Sequence, residues 1–134
     1  MDDRIMKSEI RQFKVIFPNT LNDHDTLFGG IAMQWMDEVA YITAIRFSKK
    51  KVVTVSAEKV QFLLPMKSGT IAEIIGKVTK VKNVKIEIQV EIYIDDMYSD
   101  NRQKAVDALF TFAAINDENK PIPINTKEYS SQEV

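Results

Sequence analysis

The sequence contains no cysteine, which removes disulfides, thiolate metal sites and cysteine nucleophiles from consideration. One histidine, His24, is too few for a histidine metal cluster and leaves little room for a histidine-based relay. No metal site is therefore expected. No apolar run approaches the roughly 18 residues of a membrane span, so no membrane partner is expected. Residues 1–9 carry charges and no apolar stretch of the signal-peptide kind, which makes the cytoplasm the expected location. Positive charge is not in excess either. The net charge is −1, whereas a general nucleic-acid binder carries a basic surplus. A local basic patch for a small phosphorylated ligand remains compatible with that balance. No internal repeat or low-complexity segment stands out.

What is present suits one globular domain. The chain has 134 residues, 45% of them apolar and 28% charged, enough for a real core and short for two. The expected domain spans residues 1–134, with a core over about 9–124 and a polar tail over 125–134.

One strong helix pattern runs from about Gly29 to Phe47. It opens with two glycines, and positions 33, 36, 40, 44 and 47 are Met, Met, Ala, Ala and Phe, a helical spacing that should face the core. Asp37 lies at the edge of that stripe, where a purely structural helix needs no charge. Polar Ser48 to Lys51 ends the helix. The other segments read as strands. Residues 9–17 alternate loosely, and Val52 to Phe62 is β-branched with a polar middle. Thr70 to Val81 follows a turn over Leu63 to Gly69. Residues 86, 88, 90, 92 and 94 are Ile, Ile, Val, Ile and Ile between polar neighbours, a strand with one buried face. Lys104 to Ile115 is apolar on both faces, which predicts an interior strand. Loops are expected at Pro18 to Thr26 and Asp95 to Asn101, and a surface segment from Asn116 onward. Short polar turns favour antiparallel pairing. The fold class is thus α+β: a curved antiparallel sheet around one long central helix.

Several residues have both a structural and a functional reading. Asp37 is either a solvated helix carboxylate or a general base or nucleophile. Glu38 lies about 100° further round and should point to solvent. Gly29 and Gly30 are either a loop-to-helix junction or a source of open backbone N–H groups for a developing oxyanion. Asn22 either builds an Asx-turn or donates its amide to a substrate carbonyl. His24 reads as a loop-surface residue. Thr54 and Ser56 are ordinary strand residues or hydroxyls that orient water or substrate. The lysines at 77, 80, 82 and 85 form a solvated face or a phosphate contact. Met33, Trp35, Met36 and Phe47 line a tunnel or fill the core.

Spacing links two of these candidates. Gly29 and Asp37 are eight residues apart, about 12 Å along one helix. One subunit therefore cannot polarise a carbonyl at one end and attack it from the other. A two-fold dimer with antiparallel helices would bring the ends together in two equivalent sites.

Asn22 to Gly30, followed by Gln34-Trp35-Met36-Asp37-Glu38, carries a resemblance. The chain resembles the hotdog-fold acyl-CoA thioesterases, in particular the group containing bacterial YciA and the cytosolic acyl-CoA hydrolases. Val53 to Ser56, Val60-Gln61-Phe62 with Pro65 and Gly69, and Phe110-Thr111-Phe112 with Asn116-Asp117 and Pro121 extend the likeness over about residues 10–124. It implies hydrolysis of an acyl-CoA to free acid and coenzyme A by a homodimer, commonly a trimer of dimers. It implies no metal or organic cofactor. Asp37 would be the catalytic carboxylate, with Asn22 and the N–H of Gly29 or Gly30 polarising the carbonyl from the other subunit. Two departures stand out. Val81-Lys82-Asn83-Val84-Lys85 replaces a Gly-x-Ser-Ser turn that helps bind coenzyme A in relatives, so Lys82, Asn83 and Lys85 would contribute there instead. Asp25 replaces a common glycine. The competing readings are a non-catalytic acyl-CoA or nucleotide-binding regulator and a hotdog dehydratase. Dehydratases rely on a histidine with an acid, and His24 precedes the helix.

Overall fold

The computed structural model describes Ile5 and residues 7–124; the expected tail over 125–134 lies outside them. Among the described residues, five strands and one long helix build the domain: β1 (Ile10–Val15), α1 (Gly29–Ser48), β2 (Lys51–Phe62), β3 (Thr70–Lys82), β4 (Lys85–Asp96) and β5 (Arg102–Ile115). A single 3-10 turn, Pro18–Thr20, interrupts the first loop. The strands form one sheet in the order β1-β3-β4-β5-β2, and every neighbouring pair is antiparallel. β5 is interior, as its apolar faces predict. The boundaries differ at both loops around the helix and the last hairpin. Lys51 begins β2 rather than ending the helix, and β4 runs on through Asp95 and Asp96.

Helix α1 lies across one face of the sheet, and its buried residues are Ala32, Trp35, Met36, Val39, Ala40, Thr43, Ala44, Phe47 and Ser48. This stripe is wider than the one read from spacing, and its centre is displaced. Trp35, Met36 and Phe47 are core residues, whereas Met33 is only half-buried. The isoleucine and valine face of β4 meets the helix, with Ile86, Ile88, Val90 and Ile92 fully buried. Gly76 on β3 allows the closest approach. A Cβ there would lie 2.6 Å from Thr43 Oγ1 and 2.9 Å from Val39 Cγ1. The Thr43 hydroxyl is satisfied within the helix, donating to the Val39 carbonyl at 2.7 Å.

The opposite face of the sheet holds a charged network absent from the sequence reading. Glu73 on β3 is 5% exposed and accepts from Arg11 Nη1 of β1 at 2.7 Å and Arg102 Nη2 of β5 at 2.7 Å. Arg102 stacks on Tyr93 of β4, 3.8 Å from the ring centroid. Burial disfavours the ionised Glu73, but the hydrogen bonds from Arg102 and Arg11 outweigh it and hold the carboxyl below its ordinary range. One carboxylate thereby ties the edge strand β1 to an interior strand across the sheet.

Candidate active site

The loop before α1 is built on Asn22. Its Oδ1 accepts the N–H of His24 at 2.8 Å and of Thr26 at 3.2 Å, while its Nδ2 donates to Thr26 Oγ1 at 3.0 Å. The structural reading of Asn22 is therefore correct, and its amide still has a second N–H to offer. His24 is exposed, in keeping with a loop-surface role. The loop is tied down at its end: Leu27 N–H donates to the Met66 carbonyl at 2.6 Å and Phe28 N–H to the Thr20 carbonyl at 3.0 Å.

Helix α1 starts without a side-chain cap, at Phe28. Ile31 and Ala32 donate to the Phe28 carbonyl at 3.0 and 3.2 Å. The N–H groups of Gly29 and Gly30 precede these first helical bonds and are the open donors of a helix N-terminus, where the dipole favours negative charge. Gly29 shares a hollow of about 300 Å³ with Asn22, Thr26, Leu27 and the segment 62–66.

Asp37 lies two turns further on, half-buried, while Glu38 is exposed as expected. Thr54 of β2 donates its hydroxyl to Asp37 Oδ1 at 3.2 Å, which leaves Oδ2 open to a further donor. The pair faces a second hollow, of about 410 Å³, lined also by Gly30, Met33, Gln34, Ala57 and Phe110. Asn22 and Gly29 thus border one hollow and Asp37 with Thr54 the other, which Gly30 also lines.

Thr54 and Ser56 part company, and a β-bulge is the reason. Thr54 pairs with Phe112 and Ser56 with Thr111, so Val55 is an extra residue on β2. In a regular strand, positions two apart share a face. The bulge leaves Thr54 on the helix side beside Asp37 and puts Ser56 on the outer side beside Thr111. There Ser56 shares a groove of about 370 Å³ with Lys80, Lys82, Lys85 and two acids, Glu58 and Glu87. Lys82 pairs with Lys85 to close the β3–β4 hairpin. Asn83 takes the left-handed conformation (φ 56°), and its carbonyl accepts the N–H of Ile124 at 2.9 Å. Its role in the turn is one of backbone shape.

Two aromatic rings beside the glycine pair were missing from the sequence reading. A Phe62 ring carbon lies 3.7 Å from where a Gly29 Cβ would stand, and a Phe28 ring carbon 3.1 Å from the same point on Gly30. The available signal was one phenylalanine directly before the glycine pair and another directly before the turn over Leu63 to Gly69. Among the described residues, no group of acids, histidines or cysteines is arranged to hold a metal ion, and no helix is long and apolar enough to cross a membrane.

Comparison with known proteins places this geometry in a family. Residues 24–99 match the model of the thioesterase superfamily. The chain is 34% identical over 112 residues to the cytosolic acyl coenzyme A thioester hydrolase of Rattus norvegicus, covering 82% of this chain. It spans only 29% of the length of that relative. The acyl-CoA hydrolase of Staphylococcus aureus, solved with butyryl coenzyme A, coenzyme A and coenzyme A disulfide, superposes with a TM-score of 0.85 at 35% identity, over 90% of this chain and 73% of that one. Solved variants of that hydrolase carry alanine for an aspartate, a threonine and an asparagine. A hexameric thioesterase from Yersinia pestis superposes with a TM-score of 0.79 at 28% identity, over 86% and 93%. With more than half of its length matched by the family model and the α+β hotdog arrangement of helix on antiparallel sheet in place, the chain belongs to the thioesterase superfamily.

Proposed function

We propose that this protein hydrolyses acyl-CoA thioesters to free carboxylic acid and coenzyme A at a site shared by two subunits. The observation that carries the reading is the separation of the half-sites. Asp37, oriented by Thr54 at 3.2 Å, lies about 12 Å along the helix from the open N–H of Gly29. A second copy packed against the exposed edge of β2 supplies the missing half. That strand is the last in the sheet order, and it exposes Val53 and Val55. Apolar side chains on an unpaired edge are what a dimer interface covers.

In the mechanism, Asp37 accepts a proton from water as the water oxygen attacks the thioester carbonyl carbon. Negative charge grows on the carbonyl oxygen, where Gly29 and Gly30 N–H and the spare amide N–H of Asn22 stabilise it. The tetrahedral species collapses with cleavage of the C–S bond. The thiolate leaves as coenzyme A and takes up the proton. A thioester is reactive enough that one base, one oxyanion site and a positioned water suffice. The asparagine, aspartate and threonine replaced in the S. aureus variants are separated by 15 and 17 residues in their own chain. Asn22, Asp37 and Thr54 have the same two separations, which supports the assignment. The lysines of the outer groove, Lys82 and Lys85 with Lys80, suit the phosphate end of coenzyme A, with Ser56 and the Asn83 turn beside them. A trimer of dimers is the assembly we favour, in line with the hexameric Yersinia relative.

The test is thiol release from a panel of acyl-CoAs by wild type and Asp37→Ala. Loss of a general base should lower kcat by about 10²–10⁴-fold with acyl-CoA binding retained. Equal rates in the two proteins would remove Asp37 from the chemistry. Binding without turnover in the wild type would favour a non-catalytic regulator.

A further inference from the structure

The hollow beside the Gly29–Gly30 pair is chemically lopsided. Asn22, Thr26 and Gly29 make its polar corner, and Leu27 with the apolar residues of segment 62–66 makes the rest. The two rings that bracket the glycines, Phe62 and Phe28, are 53% and 55% exposed, although apolar surface left in water costs free energy. The wall they belong to is held in place. Leu63 and Leu64 N–H both donate to the Ala105 carbonyl, at 2.7 and 3.2 Å, and Leu27 is bonded to Met66 as described above. A fixed apolar hollow ending in a polar corner suits a carbonyl that carries a hydrocarbon tail. A second direction for such a tail, besides the Asp37 hollow, is inward, between helix and sheet. That route is closed: Ala32, Met36, Phe110 and Phe112 are at most 2% exposed, and a close-packed interior has no room for an alkyl chain.

We propose that the acyl chain lies in this hollow, on the subunit that polarises the carbonyl, and that Phe62 sets the chain length accepted. The inference rests on the thioesterase reading of the site. At about 300 Å³ the hollow is at the small end of the roughly 300–1,000 Å³ range of small-molecule sites, so the size of the residue at position 62 bears on how long a chain it takes. Phe62 ends an edge strand and is half in solvent, so its size changes the hollow without disturbing the core.

The experiment compares kcat/KM for acetyl- to dodecanoyl-CoA in wild type, Phe62→Ala, Phe62→Trp and, in the Asp37 hollow, Met33→Ala. Thermal unfolding of each variant checks that it is folded. Phe62→Ala should shift the long-to-short ratio of kcat/KM at least about tenfold towards long chains, the effect of a methylene or more in a pocket. Phe62→Trp should shift it the other way, and Met33→Ala should leave it in place. An active wild type whose profile is unmoved by either Phe62 variant, or moved by Met33→Ala instead, overturns the assignment and leaves the thioesterase reading standing. A wild type that turns over no acyl-CoA removes both.

Discussion

Asn22 shows why a residue's structural and functional readings need not compete. Its carbonyl oxygen shapes the loop by accepting from His24 and Thr26, while its amide has an N–H to spare for substrate. The substitution Asn22→Asp separates the two roles: a carboxylate still accepts those bonds and that of the Thr26 hydroxyl, which replaces the Nδ2 bond to Thr26, but donates none. The variant should keep the melting temperature of the wild type within a few degrees and lose about 10²–10³-fold in kcat, measured by calorimetry and thiol release. Glu73 is a purely structural case. Its carboxyl is held below the ordinary value of 4.5, so it stabilises the fold above that pH, and the contribution is lost as pH falls through the lower folded-state value. Glu73→Gln should cost about 1–3 kcal/mol at pH 7, a modest figure because both arginines are half in solvent. In urea titrations the gap to wild type should narrow as pH falls from 5 towards 3. A gap constant with pH would mean that packing, rather than charge, is what Glu73 supplies. The sequence held a hint of it: a lone acid inside the apolar run Ile71-Ala72-Glu73-Ile74-Ile75. Its partners, 62 residues before and 29 after, were beyond any local pattern.

At the scale of elements, period decides what can be read in advance. The helix and the five strands are legible because apolar spacing near 3.6 and 2 is imposed by burial on one face. The bulge at Val55 is not, since an extra residue in a strand of valines and small polar groups leaves no mark on that pattern. Yet the bulge separates Thr54, which reaches Asp37, from Ser56, which faces the lysine groove. Trp35 and Val39 fall outside the stripe that spacing predicts for a related reason. The sheet covers a wider arc of α1 than one row of side chains. Gly76 sets how close that cover comes. Gly76→Ala would drive a methyl group into Thr43 and Val39, and overpacking of this kind costs about 1–3 kcal/mol. Calorimetry should show a melting temperature lower by several degrees, with kcat per folded molecule nearly unchanged, because β3 carries none of the candidate catalytic groups.

At the scale of the whole molecule, the proposed site needs two copies of the chain. The spacing of Gly29 and Asp37 along one helix was already legible in the sequence, and the structure adds a hollow at each and an edge strand, β2, that exposes Val53 and Val55. In the proposed site, each working centre takes its carboxylate from one copy and its oxyanion donors from another. Subunit mixing tests it most directly. Asp37→Ala and Asn22→Asp proteins, each nearly inactive alone, would be unfolded together at equal concentration, refolded and assayed for thiol release. A random mixture makes half of the dimers mixed, and each mixed dimer carries one intact site of two, so about a quarter of wild-type turnover should return. No recovery in a sample shown by mass spectrometry to contain mixed dimers would contradict the account.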